Sequence, residues 1–232
     1  MNKIKKLMLA LLLCSPTPLL ADFQSGVDAL SAGDFATAHQ EFQPLAEAGD
    51  SKSQHLLGLL YANGYGVDAD DAEAVKWFRL AADQGDAKAQ YQLGTMYANG
   101  RGVPADVAQV LKWFRRAADL GDTAAQSNLG MMYKSGHGVP ADNSEAVKWF
   151  RKAAEQGDTR AQHNLAGMYF VGDGVDKDLV WAYAWILRAA ADGDELAMRG
   201  RDIIAKGMTE EQIANAQKVS YVLCASIPGC EQ

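Results

Sequence analysis

Apolar residues recur along the chain in short blocks at helical spacing, and glycine-rich turns separate the blocks. In Ala89-Gln90-x-x-Leu93-Gly94-x-Met96-Tyr97 the apolar side chains share one face of a helix, and Asn99-Gly100 ends it with glycine at the left-handed position. No alternating strand flanks that Asn-Gly pair, so it is not a hairpin turn. After Gly102-Val103-Pro104, Asp106 is placed to cap a second helix whose apolar face carries Val110, Trp113, Phe114, Ala117 and Ala118. The unit is a helix–turn–helix in which neither helix can bury its face alone.

The unit repeats. Trp77, Trp113, Trp149 and Trp185 are each 36 residues apart, and the same step relates Tyr61, Tyr97, Tyr133 and Tyr169 as well as the Gly-Asp pairs that begin at Gly49, Gly85, Gly121, Gly157 and Gly193. Four units follow, Asp50–Gly85, Asp86–Gly121, Asp122–Gly157 and Asp158–Gly193. Stacked units bury a continuous core, which predicts an all-α fold.

The motif Ala-Gln-Tyr-Gln-Leu-Gly-Thr-Met-Tyr-Ala-Asn-Gly-Arg-Gly-Val at 89–103, followed by Trp113-Phe114-Arg115-Arg116-Ala117-Ala118 and Gly121-Asp122, resembles the Sel1-like repeat family, relatives of the tetratricopeptide repeats. The resemblance spans about residues 34 to 206 and implies a right-handed α-solenoid whose first helices line a concave, partner-gripping surface. Its departures lie late in the chain: Leu165-Ala166-Gly167 replaces Leu-Gly-x, Trp185-Ile186 replaces Trp-Phe, and the partial unit from Asp194 lacks the Tyr and Gly-x-Gly. These read as capping changes. The flanks read as caps too: a helix pair over 22–49 broken at Gly33-Asp34, and a last helix opened by a Thr209/Gln212 capping box and running along Ile213, Ala216, Val219 and Leu223.

Residues 1–21 stand apart. A basic start, the apolar run Leu7 to Leu13 and a close at Leu19-Leu20-Ala21 predict a secretory signal peptide, and hence a periplasmic or secreted protein. Leu11-Leu12-Leu13-Cys14 is a poor lipoprotein box, because Leu13 stands where a small residue belongs; an outer-membrane lipoprotein anchored through Cys14 is the less favoured reading. No stretch approaches the roughly 20 apolar residues of a spanning helix. Export favours a small disulfide loop between Cys224 and Cys230 around Pro228-Gly229. The chain carries −7, and because residues 1–21 hold Lys3, Lys5 and Lys6 and no acid, the remainder carries −10. Such a surface argues against nucleic-acid binding.

The repeats supply their own internal comparison, separating recurring positions from variable ones. The Gly-x-Gly segments at 64/66, 100/102, 136/138 and 172/174 follow helices, not strands, and read as turns needing positive φ rather than phosphate loops. The tryptophans read as core, and Gln54, Gln90, Gln126 and Gln162 as hydrogen bonds between repeats. Lys76/Arg79, Lys112/Arg115 and Lys148/Arg151 form a basic row, expected to pair within each helix with Asp83, Asp119 and Glu155 four residues beyond each arginine.

Variable positions share one face of the first helices: 52, 55, 56, 59, 62 and 63 with their later equivalents. From this row His55, Leu59, Tyr91, Thr95, Met131, Lys134, His163 and Phe170 are the candidate partner-binding residues. Three repeats separate His55 from His163, about 30 Å or more at packed-helix spacing, too far to share a metal. His39 and His137 have no ligand-spaced neighbours, and all four histidines read as surface or groove residues. No cofactor and no catalytic residue is assigned. His-Glu-x-x-His, Gly-x-Ser-x-Gly and Ser-x-x-Lys motifs do not occur, and residues 22–223 lack the cysteine pairs of those Sel1-like proteins linked to β-lactam chemistry. The expectation is a non-enzymatic adaptor or regulator that binds a segment of another envelope protein. The alternatives are an envelope hydrolase of β-lactam or peptidoglycan type and a secreted factor that binds host proteins.

Overall fold

The structure, a computed structural model, describes residues 22–191 and 194–226. These residues form twelve helices and no strand: α1 (Phe23–Ala32), α2 (Phe35–Glu47), α3 (Ser51–Asn63), α4 (Asp71–Asp83), α5 (Ala87–Asn99), α6 (Val107–Asp119), α7 (Thr123–Ser135), α8 (Asn143–Ala154), α9 (Thr159–Val171), α10 (Leu179–Ala190), α11 (Glu195–Ala205) and α12 (Glu210–Ser226). Consecutive helices pack on one another through to α11, and α12 lies back against α10. The architecture is an α-solenoid of helix pairs. Residues 1–21, with the expected signal peptide and Cys14, lie outside the described residues, as does Cys230.

Local chemistry sets each boundary. Asp50, Asp86, Asp122 and Asp158 cap the first helices, each accepting the backbone N–H three residues on at 2.6–2.8 Å. Asp106 caps α6 by accepting from Ala108 and Gln109. The first glycine of each Gly-x-Gly closes its helix in the left-handed region. The second glycine has a different cause. A Cβ on Gly102, at φ +65°, would lie 2.2 Å from the Asp71 carbonyl oxygen, and one on Gly174 would lie 2.3 Å from that of Asn143. This glycine lets each turn touch the second helix of the preceding repeat. The Thr209/Gln212 capping box forms in both directions.

The core is laid down junction by junction. Trp113 packs with Phe78, Ala81, Leu93 and Met96, and Trp149 with Phe114, Leu129 and Met132, so each indole fills the space behind the preceding repeat. All four recurring tryptophans are buried. Within a repeat, the glycine of Leu-Gly receives an aromatic ring: a Cβ on Gly58, Gly94 or Gly130 would fall 2.6–2.7 Å from Phe78, Phe114 or Phe150. In repeat 4 Ala166 and Ile186 hold these two positions, both fully buried in one cluster, so a smaller partner makes room for a methyl group. The pair exchanges volume inside the buried core, where the sequence suggested a capping change. The pair α1/α2 copies the same arrangement, Gly26 lying under Phe42.

Gln54, Gln90, Gln126 and Gln162 each donate to a carbonyl eight residues back, on the preceding second helix, at 3.0–3.2 Å. These are the inter-repeat bonds their recurrence implied. The arginine row behaves otherwise than expected. Arg79 donates to the Tyr97 hydroxyl at 2.5 Å, Arg115 to that of Tyr133, and Arg151 to that of Tyr169 at 2.6 Å. The guanidinium lies at the junction, where the next repeat's tyrosine is in reach, so it ties repeats together instead of pairing with the acid four residues on. The salt bridges that do form here are Lys76–Glu73, Lys148–Glu145 and the cross-repeat Arg116–Asp83.

Candidate functional site

The first-helix row divides into residues that pack inward and residues that face solvent. His55 is half-buried with its ring 6.1 Å from Phe78, and burial pushes its pKa below the ordinary 6.5 against the opposing pull of Asp86. Tyr91 stacks on Phe114 at 5.4 Å and its hydroxyl accepts from the Asn128 amide. Thr95 bonds back to the Tyr91 carbonyl, and Leu59 packs against the core cluster that holds Phe78, Leu93 and Trp113. Ser127, the equivalent of His55 and Tyr91 in repeat 3, is fully buried and donates to Asp158, so there the row turns inward. Met131 and Lys134 are exposed, and Lys134 reaches Asn164 of the next repeat at 3.0 Å. His163 is half-buried. Phe170 is packed on the last cluster with the Lys177 ammonium 5.7 Å from its ring centre. His39 proves to be packed rather than free, edge-on to Tyr61 at 5.6 Å, and burial lowers its pKa.

The junctions differ in one position. The residue between the two glycines meets the first residue of the preceding second helix, and the pair changes from junction to junction. Tyr65 stacks on Phe35 at 4.6 Å. Arg101 holds the Asp71 carboxylate at 2.6 and 3.1 Å and donates to the Ala62 carbonyl. Asn143 donates to Asp173. Between repeats 2 and 3 the pair is His137 and Val107, and an isopropyl group gives an imidazole nothing to bond.

A pocket of about 290 Å³ opens at that junction. Met131, Asn128, Ser135 and Ala98 line it from the first-helix row, and Val107, Phe114 and His137 from behind. Of the eight candidate residues only Met131 lines this pocket; Tyr91 touches it indirectly, through Phe114 and Asn128. His55 and Leu59 belong to repeat 1, and His163 and Phe170 to repeat 4. A second apolar pocket, about 250 Å³, lies between α10 and α12 beside Trp181 and Val222, and no sequence pattern pointed to it. Among the described residues no group of three His, Cys, Asp or Glu side chains could hold a metal, and no helix is long and apolar enough to cross a membrane.

The repeat geometry now has a counterpart among known proteins. Residues 51–86, 87–122, 123–158 and 159–194 each match the Sel1 repeat. The chain belongs to the Sel1 repeat family. Its fold is similar to that of a Sel1 repeat protein from Oxalobacter formigenes, at 30% identity over 87% of this chain and 85% of that one, with a TM-score of 0.77. A protective antigen of uropathogenic Escherichia coli with the same repeat fold is 28% identical, over 87% of this chain and 53% of its own, with a TM-score of 0.56. An immunity protein from Pseudomonas aeruginosa, 20% identical over 87% of this chain and 83% of that one with a TM-score of 0.51, shares the fold. No curated protein matches the chain. Sel1 repeat proteins generally mediate protein–protein interaction and are typically non-catalytic scaffolds.

Proposed function

We infer that this Sel1 repeat protein is a non-enzymatic adaptor or regulator of the bacterial cell envelope, which grips a segment of a partner protein along its first-helix row. The observation that carries the reading is the pocket between repeats 2 and 3, where the row stops being sealed and Met131 stands 39% exposed at its rim. A stiff scaffold with a preformed recess loses little conformational freedom on binding. The leader-like pattern of residues 1–21 supports export, and export makes a Cys224–Cys230 bond part of the same proposal; Cys224 is buried at the end of α12.

The test is photo-crosslinking in living cells from position 131, with position 152 on the exposed side of α8 as the control. A single envelope protein captured from 131 and not from 152 is the expected result. Equal capture from both positions, or capture of cytoplasmic proteins only, would overturn the reading.

A further inference from the structure

We propose that the segment gripped by the first-helix row is acidic, with one bulky apolar side chain seated in the pocket between repeats 2 and 3. This rests on the partner-binding reading above and names the chemistry of the partner. Two independent observations carry it, the distribution of charge and the character of the pocket.

The protein is acidic overall, yet the bodies of α3, α5, α7 and α9 contain no Asp or Glu. They contain Lys52, Lys88, Lys134 and Arg160, all exposed and all at variable row positions. Among the described residues none of these four makes an ion pair, whereas the second-helix cations are engaged. Lys76, Arg116 and Lys148 are paired with carboxylates, Arg79, Arg115 and Arg151 with tyrosines, and Lys112 and Lys152 lie 4.7 and 4.2 Å from the centres of Trp113 and Trp149. The acids nearest to the row in sequence are the cap residues Asp50, Asp86, Asp122 and Asp158. Each already accepts a backbone N–H and faces the positive end of its own helix. Asp86 and Asp122 share the neighbourhood of Lys88 without reaching salt-bridge distance. The row is therefore a line of exposed cations outside any salt bridge, Lys134 bonded only to the neutral Asn164 amide, on an acidic molecule, which steers an acidic segment to it and repels basic ones.

The pocket decides against a plain polyanion. Its walls are Met131, Val107, Val110, Phe114 and Ala98, with Asn128, Ser135, His137 and Asp106 as polar edges, the Asp106 carboxylate accepting the α6 cap N–H groups of Ala108 and Gln109; at about 290 Å³ it has room for one side chain rather than a whole ligand. Lys134 lies one helical turn from Met131, and Lys88 lies ten residues before Ala98, about 15 Å along α5. An extended segment covers that distance in four or five residues. The fitting sequence has a Leu, Ile, Met or Phe anchor with carboxylates on both sides.

The experiment is fluorescence anisotropy of the purified protein with labelled peptides that share one central Leu or Phe and differ only in acidic, neutral or basic flanks. The acidic set is expected to bind at least about tenfold tighter than the neutral one and to weaken as salt is raised. K88E/K134E should cost that tenfold preference, while K112E/K152E, with the same change in net charge, should stay within about twofold; circular-dichroism melts check that both variants fold. If neutral or basic peptides bind as well and M131E still abolishes binding, the acidic preference is overturned while the row reading stands. If no peptide binds, or binding ignores M131E, both are overturned. Preferential binding of a single-stranded oligonucleotide or of anionic phospholipid vesicles, lost in K88E/K134E, would overturn the proposal in favour of another polyanion.

Discussion

Two junctions of the same solenoid, one between repeats 1 and 2 and one between repeats 2 and 3, share a backbone plan and differ in how they close. At the first, Arg101 clamps Asp71 with two bonds and a third to the Ala62 carbonyl. At the second, His137 stands beside Val107 and the pocket remains. The core behind them is alike: Trp113 and Trp149 occupy equivalent places, and Arg79 and Arg115 reach the next tyrosine in the same way. The stacking of repeats is thus carried by the recurring residues, and the pair between the glycines and the preceding helix is left to vary. One of its variants seals the junction and another leaves a pocket there.

The largest effects should come from breaking what the two junctions share. Trp113→Ala is expected to cost about 3–5 kcal/mol, read as a fall in the urea midpoint, because it empties the space against Phe78 and Leu93. Gly102→Ala should cost about 2 kcal/mol or more in the same measurement, since it combines a positive φ with a Cβ driven into the Asp71 carbonyl. An intermediate effect should come from Arg115→Ala, about 1–2 kcal/mol, through loss of the Tyr133 bond.

Smaller effects sharpen the difference between the junctions. V107D/H137R copies the Arg101–Asp71 clamp into the open junction; it should change stability by no more than about 1 kcal/mol in melts and markedly weaken peptide binding. Met131→Ala should weaken binding while moving stability by less than about 0.5 kcal/mol. The smallest effect is on pH dependence. Burial holds the folded-state pKa of His55 below the ordinary 6.5, so the unfolded chain takes up the proton more readily. Its contribution to stability is present above about 6.5 and is lost as the pH falls through the lower, folded value. His39 is lowered in the same direction, so His55→Gln should flatten the slope of stability against pH below 6.5 without abolishing it.

The helices, their caps and the indole core were legible because each depends on residues adjacent in sequence or recurring every 36. Asp106 capping α6 and Gln90 bonding to Ala82 follow from such positions. The arginine partners were not legible, since Arg79 and Tyr97 are eighteen residues apart and meet only when two repeats stack. Helical spacing suggested the nearer Asp83 instead. The candidate row was legible in part. Its face and Met131 came from the variable positions, but nothing local separated Ser127, which is buried, from Tyr91, which is half-exposed. The pocket was least visible, because it depends on pairing His137 with Val107 across thirty residues; the signal was present in the series Asp71, Val107, Asn143, read against Arg101, His137, Asp173.

Hydrogen exchange of the purified protein, with and without the tightest-binding acidic peptide, tests most directly whether the open junction is the binding site. Slowed exchange in the C-terminal half of α5, the turn before α6, and α7, with α4 and α8 unchanged, is the predicted result. Protection confined to α10 and α12, or spread evenly over the second helices, would contradict it.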